Sequence, residues 1–222
     1  MKNYRFEKKF IVNPIYYDKI INSIELSGWT KIFPKRKVNN IYLDSINSNS
    51  YYECKNGDLE KTKYRIRWYG NTFPKKKIIK SCFFENKIKK NNLNRKVIRN
   101  LGNIEIYLKQ PYSRLSKNVF AKLSKIIPEE EFIFIENYII QFISCYDREY
   151  YKNSNNKIRL TIDRNQNYFK VDPIIKHETQ LNSIVIELKY SSDEDFRNFS
   201  LQTNLTHNSK YQNGIDLLFN GY

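Results

Sequence analysis

The sequence predicts a strand-rich α+β domain in which most strands pair antiparallel, either as an open sheet or curled into a barrel of about eight strands. Three observations lead there. Many segments alternate polar and apolar residues at period two, five of them carry charge rather than mere polarity on one face, and turn-forming runs separate them in place of Gly/Ser linkers. In an open sheet the charged faces would lie in water and need no function. In a barrel they line an interior just wide enough for side chains or one narrow ligand.

Tyr4 to Val12 alternates and is stopped by Asn13-Pro14, where a helix begins that carries Ile15, Ile20, Ile21 and Ile24 and ends near Gly28. Val38 to Leu43, Lys61 to Tyr69 and Ile78 to Lys89 read as the next strands, with another after Asn92. Glu129 to Phe142 is read as a helix, because Ile135, Tyr138, Ile139 and Phe142 recur at i, i+3, i+4 and i+7. Ser144 to Tyr151 and Lys157 to Arg164 form a hairpin around Asn153-Ser154-Asn155-Asn156. Ile184 to Tyr190 is the last strand, and Ser192 to Phe199 reads as a helix with acidic residues in its first turn.

Composition narrows the function. The chain has 222 residues, read as one domain over 1–222, with 39 Lys plus Arg against 23 Asp plus Glu, a formal charge of +16. That excess suggests an anionic partner. Hydrophobic residues at 40% and aromatics at 15% exclude a disordered basic tail. Three cysteines without a CxxC argue against a disulfide framework and a zinc site, and point to a reducing, cytoplasmic setting. Charges in MKNYRFEKKFIV leave no signal-peptide core, and no run of eighteen apolar residues follows.

Strand by strand, the charges share faces. Arg5, Glu7 and Lys9 align; so do Arg65 with Arg67, then Glu85, Lys87 and Lys89, then Lys157, Arg159, Thr161 and Asp163, then Glu187 and Lys189. A cationic interior is stable only with carboxylate partners and a bound anion, and Glu7, Glu85 and Glu187 supply part of that compensation.

These residues also carry a family resemblance. Arg5-Phe6-Glu7-Lys8-Lys9, Tyr64-Arg65-Ile66-Arg67-Trp68-Tyr69, Glu85-Asn86-Lys87, Tyr146-Asp147-Arg148, Lys157-Ile158-Arg159, Glu187-Leu188-Lys189 and Ser209-Lys210-Tyr211 occur in that order. Together they resemble the VTC domain, the polyphosphate polymerase domain of the vacuolar transporter chaperone complex and its bacterial relatives, within the triphosphate tunnel metalloenzymes. The resemblance runs from residue 4 to about residue 215.

It implies a closed antiparallel β-barrel with helices packed outside, a tunnel that binds triphosphate with Mn²⁺ or Mg²⁺ and transfers the terminal phosphoryl group of ATP onto inorganic polyphosphate. Lys9, Arg65, Arg67, Lys87 and Arg148 match the family's phosphate-binding cations, Lys210 the lysine near the tunnel end, and Glu187 the metal-holding carboxylate. Glu7 and Glu85 are further carboxylate candidates for the metal. Arg5, Lys89, Lys96 (or Arg95 if the register slips by one), Arg159 and Lys189 are candidates for contacting the chain. Hydrolase and cyclase branches open on ExExK, whereas here the first acidic position is Arg5, which favours the polymerase branch. His207 stands where fungal polymerases carry a lysine.

The alternatives are a metal-dependent tri(poly)phosphatase and a non-catalytic module binding polyphosphate or nucleotide. Charges sequestered inside a barrel cannot track a duplex, so nucleic acid is not an expected partner. A membrane-protein partner drawing product away, with this chain at the inner face of a membrane, is compatible with the family. His177 lacks metal-ligand spacing, and Lys75-Lys76-Lys77 reads as a solvated loop.

Overall fold

The structure, a computed structural model, describes residues 4–70, 78–105, 117–170, 178–192, 205–206 and 208–220. Strand β1 (Phe6–Val12) ends where Asn13 accepts a hydrogen bond from the Ile15 backbone N–H at 3.0 Å. One tight turn, Pro14–Tyr16, then feeds helix α1 (Tyr17–Leu26). Gly28 closes it at φ +77°, a conformation that favours glycine. Next come β2 (Thr30–Asp44), α2 (Asn49–Lys55), β3 (Glu60–Tyr69), β4 (Ile78–Lys90) and β5 (Leu93–Glu105). Helices α3 (Lys117–Ile126) and α4 (Glu129–Ile135) precede β6 (Ile139–Lys152), β7 (Arg159–Lys170), β8 (Glu178–Leu181) and β9 (Ile184–Tyr190). A short helix α5 (Lys210–Ile215), capped by the Ser209 hydroxyl, runs into a wider turn at Asp216–Asn220.

The described strands form one sheet in the order β1-β9-β7-β6-β2-β3-β4-β5, with β8 paired off β7, and every pairing is antiparallel. Its two ends approach each other. Arg5 and Asn94 form a single antiparallel bridge, exchanging backbone hydrogen bonds of 3.0 and 2.9 Å, and no longer ladder joins β1 to β5 among the described residues.

Alternation assigns the faces as expected. Tyr64, Ile66 and Trp68 on β3 point out into a core shared with Phe84, Ile41 and Ile143, covered by Val119 and Leu123 of α3 and Ile135 of α4. A second core lies under α1, where Ile24 meets Phe10, Leu160, Ile186 and Leu188. Burying such side chains contributes roughly 1.5–3 kcal/mol each. A third, aromatic cluster seats α5: Tyr211 and Ile215 pack on Tyr42, Phe142 and Tyr168. A Cβ on Gly214 would lie 2.3 Å from the Phe142 ring, so the fit needs a bare Cα there.

Three expectations change. The helix expected over Glu129–Phe142 stops at Ile135, and Ile139–Phe142 opens β6. Its apolar run is buried on both sheet faces, with Ile140 and Ile143 in one core and Phe142 in another, so helical spacing arose by coincidence. β2 starts eight residues before Val38; its first half is mostly exposed and broken by register shifts, which erased the alternation. Helices α2, α3 and α5 were not foreseen. All of the helix expected over 192–199 beyond its first residue lies outside the described residues, as do His177, His207 and Lys75 to Lys77.

Candidate phosphate-binding site

Register alone puts the charges together. Lys63 on β3 pairs with Lys87 on β4, and Lys87 pairs with Lys96 on β5, a row of three lysines across neighbouring strands. Like charges directly opposite destabilise a sheet. On β1 and β9, Lys9 pairs with Glu187 and Glu7 with Lys189, while Arg159 on β7 continues the second row.

The inward faces enclose a cavity of about 390 Å³. Lys9, Arg65, Arg67, Lys87, Arg148 and Lys210 all line it, as do Arg5, Lys96, Arg159, Lys189, Glu7 and Glu187. Arg95 lines it beside Lys96, so both of the alternatives considered from sequence reach the site. Twelve of the lining side chains are Lys or Arg and two are carboxylates, an excess of positive charge that favours an anion in the cavity. Lys89 falls instead on an adjoining cavity of about 620 Å³, shared at Glu7, Lys9, Lys63, Lys87, Asn94 and Ser209.

Two buried carboxylates hold the cations in place. Glu85 does not line the cavity; it sits behind the wall, with Oε2 accepting from Arg65 Nε at 2.7 Å, 2.6 Å from Arg65 Nη2 and 3.5 Å from Arg67 Nη1. Its Oε1 accepts from Lys96 Nζ at 3.1 Å. Burial opposes its charge, yet Arg65, Arg67 and Lys96 hold it well below the usual carboxylate range. Asp163, fully buried, accepts a two-pronged bond from Arg148 at 2.5 and 2.6 Å and lies 2.6 Å from Lys210 Nζ. Against burial, those two cations bring its carboxyl down to about 2.

The remaining cations are tuned as well. Arg67 spans the site, donating Nε to Asn40 Oδ1 at 2.9 Å and Nη2 to the Tyr146 hydroxyl at 3.1 Å. Lys87 meets Glu7 at 2.5 Å. Burial and the neighbouring Lys87 pull Lys9 down to about 7, while its ammonium donates to the Asn208 carbonyl at 2.7 Å. Burial likewise lowers Lys96 to about 8, partly countered by Glu85. Lys210 lies over the Tyr146 ring at 4.8 Å, and Tyr211 anchors its turn by donating its hydroxyl to Asp44.

For a divalent cation the donor set is small. Among the described residues no three His, Cys, Asp or Glu side chains converge on a point. Both oxygens of Glu85 face arginines or a lysine. Glu187, next to Lys189 at 3.1 Å, has Thr161 as its register partner, and the buried Thr161 Oγ1 has no hydrogen-bond partner among the described residues. Glu187 with Thr161 beside it in register offers oxygen donors of the kind a hard ion takes, although Glu187 also lies 3.6 Å from Arg148 and Glu7 is engaged by Lys87.

Sequence reading missed Lys63, Tyr146, Asn40 and Asp163 as site residues. Lys63 was legible, lying two residues before Arg65 on the same face, and Asp163 had been placed on its charged face. Nothing local marks Tyr146 or Asn40.

The arrangement is an antiparallel sheet curled around a cluster of cations. The chain belongs to the VTC domain family, which it matches over residues 4–219. Among curated proteins none matches. Solved structures that it resembles include a proposed adenylate cyclase from Vibrio parahaemolyticus, 11% identical, covering 86% of this chain and 79% of that one, with a TM-score of 0.45. Another is HpAC1 from Hippeastrum, a proposed adenylyl cyclase with a dominant triphosphatase activity, 10% identical over 88% and 82% of the two chains, TM-score 0.46. PH1012 from Pyrococcus horikoshii is 13% identical over 87% and 83%, TM-score 0.46. No helix among the described residues is long and apolar enough to cross a membrane.

Proposed function

We propose that the chain is an ATP-dependent polyphosphate polymerase, and that the sheet closes through the Arg5–Asn94 bridge into a tunnel in which the reaction occurs. The observation that carries this is the excess of cations facing the 390 Å³ cavity, including the row Lys63–Lys87–Lys96, which register forces together. VTC family membership supports it.

Phosphoryl transfer needs mainly positioning and electrostatic stabilisation of the equatorial oxygens. Arg65 and Arg67 offer planar forks, pre-aimed by Glu85 and Asn40, while Lys9, Lys87 and Lys210 act as point charges. Arg148, fixed by Asp163, brings a further fork from the opposite wall. A Mg²⁺ or Mn²⁺ ion held by Glu187, assisted by Glu7, would neutralise phosphate charge. Glu85 serves as counter-ion to the arginines. No protein nucleophile is required, because the acceptor is itself a phosphate end.

The test is to incubate the protein with ATP and Mn²⁺ and resolve products on a gel stained for polyphosphate. Chains formed with ADP are expected. Stoichiometric orthophosphate from the first turnover would replace this reading with a triphosphatase, and tight polyphosphate binding without turnover with a binding module.

A further inference from the structure

A triphosphate gripped by Arg65, Arg67 and Arg148 must project its nucleoside from one end of the passage or the other. The two ends differ. The adjoining cavity carries Lys8, Lys61, Lys63 and Lys89, and its two rings, Phe6 and Tyr190, stack on each other at 5.5 Å with Tyr190 buried. The first cavity instead ends in Phe33, Tyr69 and Tyr150, brought together by the start of β2, the end of β3 and the end of β6.

Phe33 is 45% exposed and Tyr69 42%, large apolar faces at the rim of a strongly cationic site. Phe33 and Tyr150 meet edge to face at 5.6 Å, a register pair across β2 and β6. The Arg36 guanidinium braces the group, 4.4 Å from the Phe33 ring centre and 5.7 Å from those of Tyr69 and Tyr150. Burial pushes the Tyr150 phenol up to about 12, so it brings no negative charge toward the phosphates.

We propose that this aromatic end is the nucleoside-binding end, where Phe33, Tyr69 and Tyr150 offer a stacking surface to the base of the donor nucleotide. The inference rests on the nucleotide-dependent reading above. Stacking uses the face that every base has, so recognition tolerates the base and GTP should replace ATP. The phosphates then point from the rings toward the lysine-rich end.

Isothermal titration of the full chain with ATP and with inorganic tripolyphosphate tests it, in the unaltered protein and in a Phe33→Ala/Tyr69→Ala variant. Stacking predicts that the variant shifts the ATP-to-tripolyphosphate affinity ratio about tenfold against ATP. A Tyr69→Trp variant, which keeps a ring, gives a second readout: the indole emission it adds over the unaltered protein, which already carries Trp29 and Trp68, should respond to ATP and GTP but not to tripolyphosphate. An unchanged ratio, or an indole response equal for ATP and tripolyphosphate, overturns the aromatic end while leaving phosphate binding intact. Absence of binding by both ligands to the unaltered protein overturns the reading on which it rests.

Discussion

The Glu85 wall and the Asp163 wall each use one buried carboxylate to fix arginines, but they are assembled differently. Arg65, Arg67, Glu85 and Lys96 come from three consecutive strands, so the pairing of β3, β4 and β5 is enough to build the first wall. Asp163 joins Arg148, its register partner on β6, to Lys210, which reaches it only when α5 is seated against Tyr42 and Phe142. The first wall follows from local register; the second couples the site to a long-range docking event.

The sharpest way to break this contrast is Asp163→Asn. It leaves Arg148 and Lys210 short of a buried countercharge, a loss expected to destabilise by about 3–5 kcal/mol in urea unfolding. Amide exchange over residues 208–216 should accelerate in this variant and hold steady in Glu85→Gln. Equal loosening in both would show that the two walls are one cooperative unit.

Glu187→Gln comes next. It should lower divalent-cation-dependent turnover of the folded protein by about a hundredfold or more, because the amide keeps the shape and loses the charge, while the loss of a buried countercharge to Lys189 and Arg148 lowers stability as well. Unchanged activity and metal dependence would assign the ion to Glu7.

Arg67 connects the walls, facing Glu85 on one side and bonding Tyr146 of β6 on the other. Arg67→Ala should cost about 1.5–3 kcal/mol, roughly ten- to a hundredfold in rate. Kinetics with ATP would show a smaller loss if Arg65 alone holds the phosphate.

Acid titration gives the gentlest probe. Asp163, brought down to about 2, and Glu85 and Glu187, also depressed, bind fewer protons folded than unfolded. Their stabilisation is present above the unfolded pKa near 4 and is lost as pH falls toward 2. Each contributes a slope of up to about 1.4 kcal/mol per pH unit in that window. Asp163→Asn should flatten the unfolding midpoint there; an unchanged slope would mean that Asp163 is not held as its contacts imply.

What was legible in the sequence divides along the same line. The cations on β1, β3, β4 and β9 could be read because alternation is a local signal, and Arg65, Lys87 and Glu187 all line one cavity. The role of Asp163 could not, since it depends on Lys210, forty-seven positions away. The β6 misreading has another cause: a strand buried on both faces loses its alternation, and Ile139 to Ile143 then imitates a helix. Helix α5 carries only the Ser209 cap as a local sign, and its seating depends on Gly214 meeting Phe142.

The lysine row Lys63–Lys87–Lys96 builds like charge into the fold. Glu7 and Glu85 offset two of its ammonium groups, and a bound polyanion would offset the remainder. Ligand that binds only the folded chain adds stability as RT ln(1 + [L]/Kd). If phosphate chains bind as proposed, they also stabilise the fold that holds them, and the unfolding midpoint should rise with their concentration.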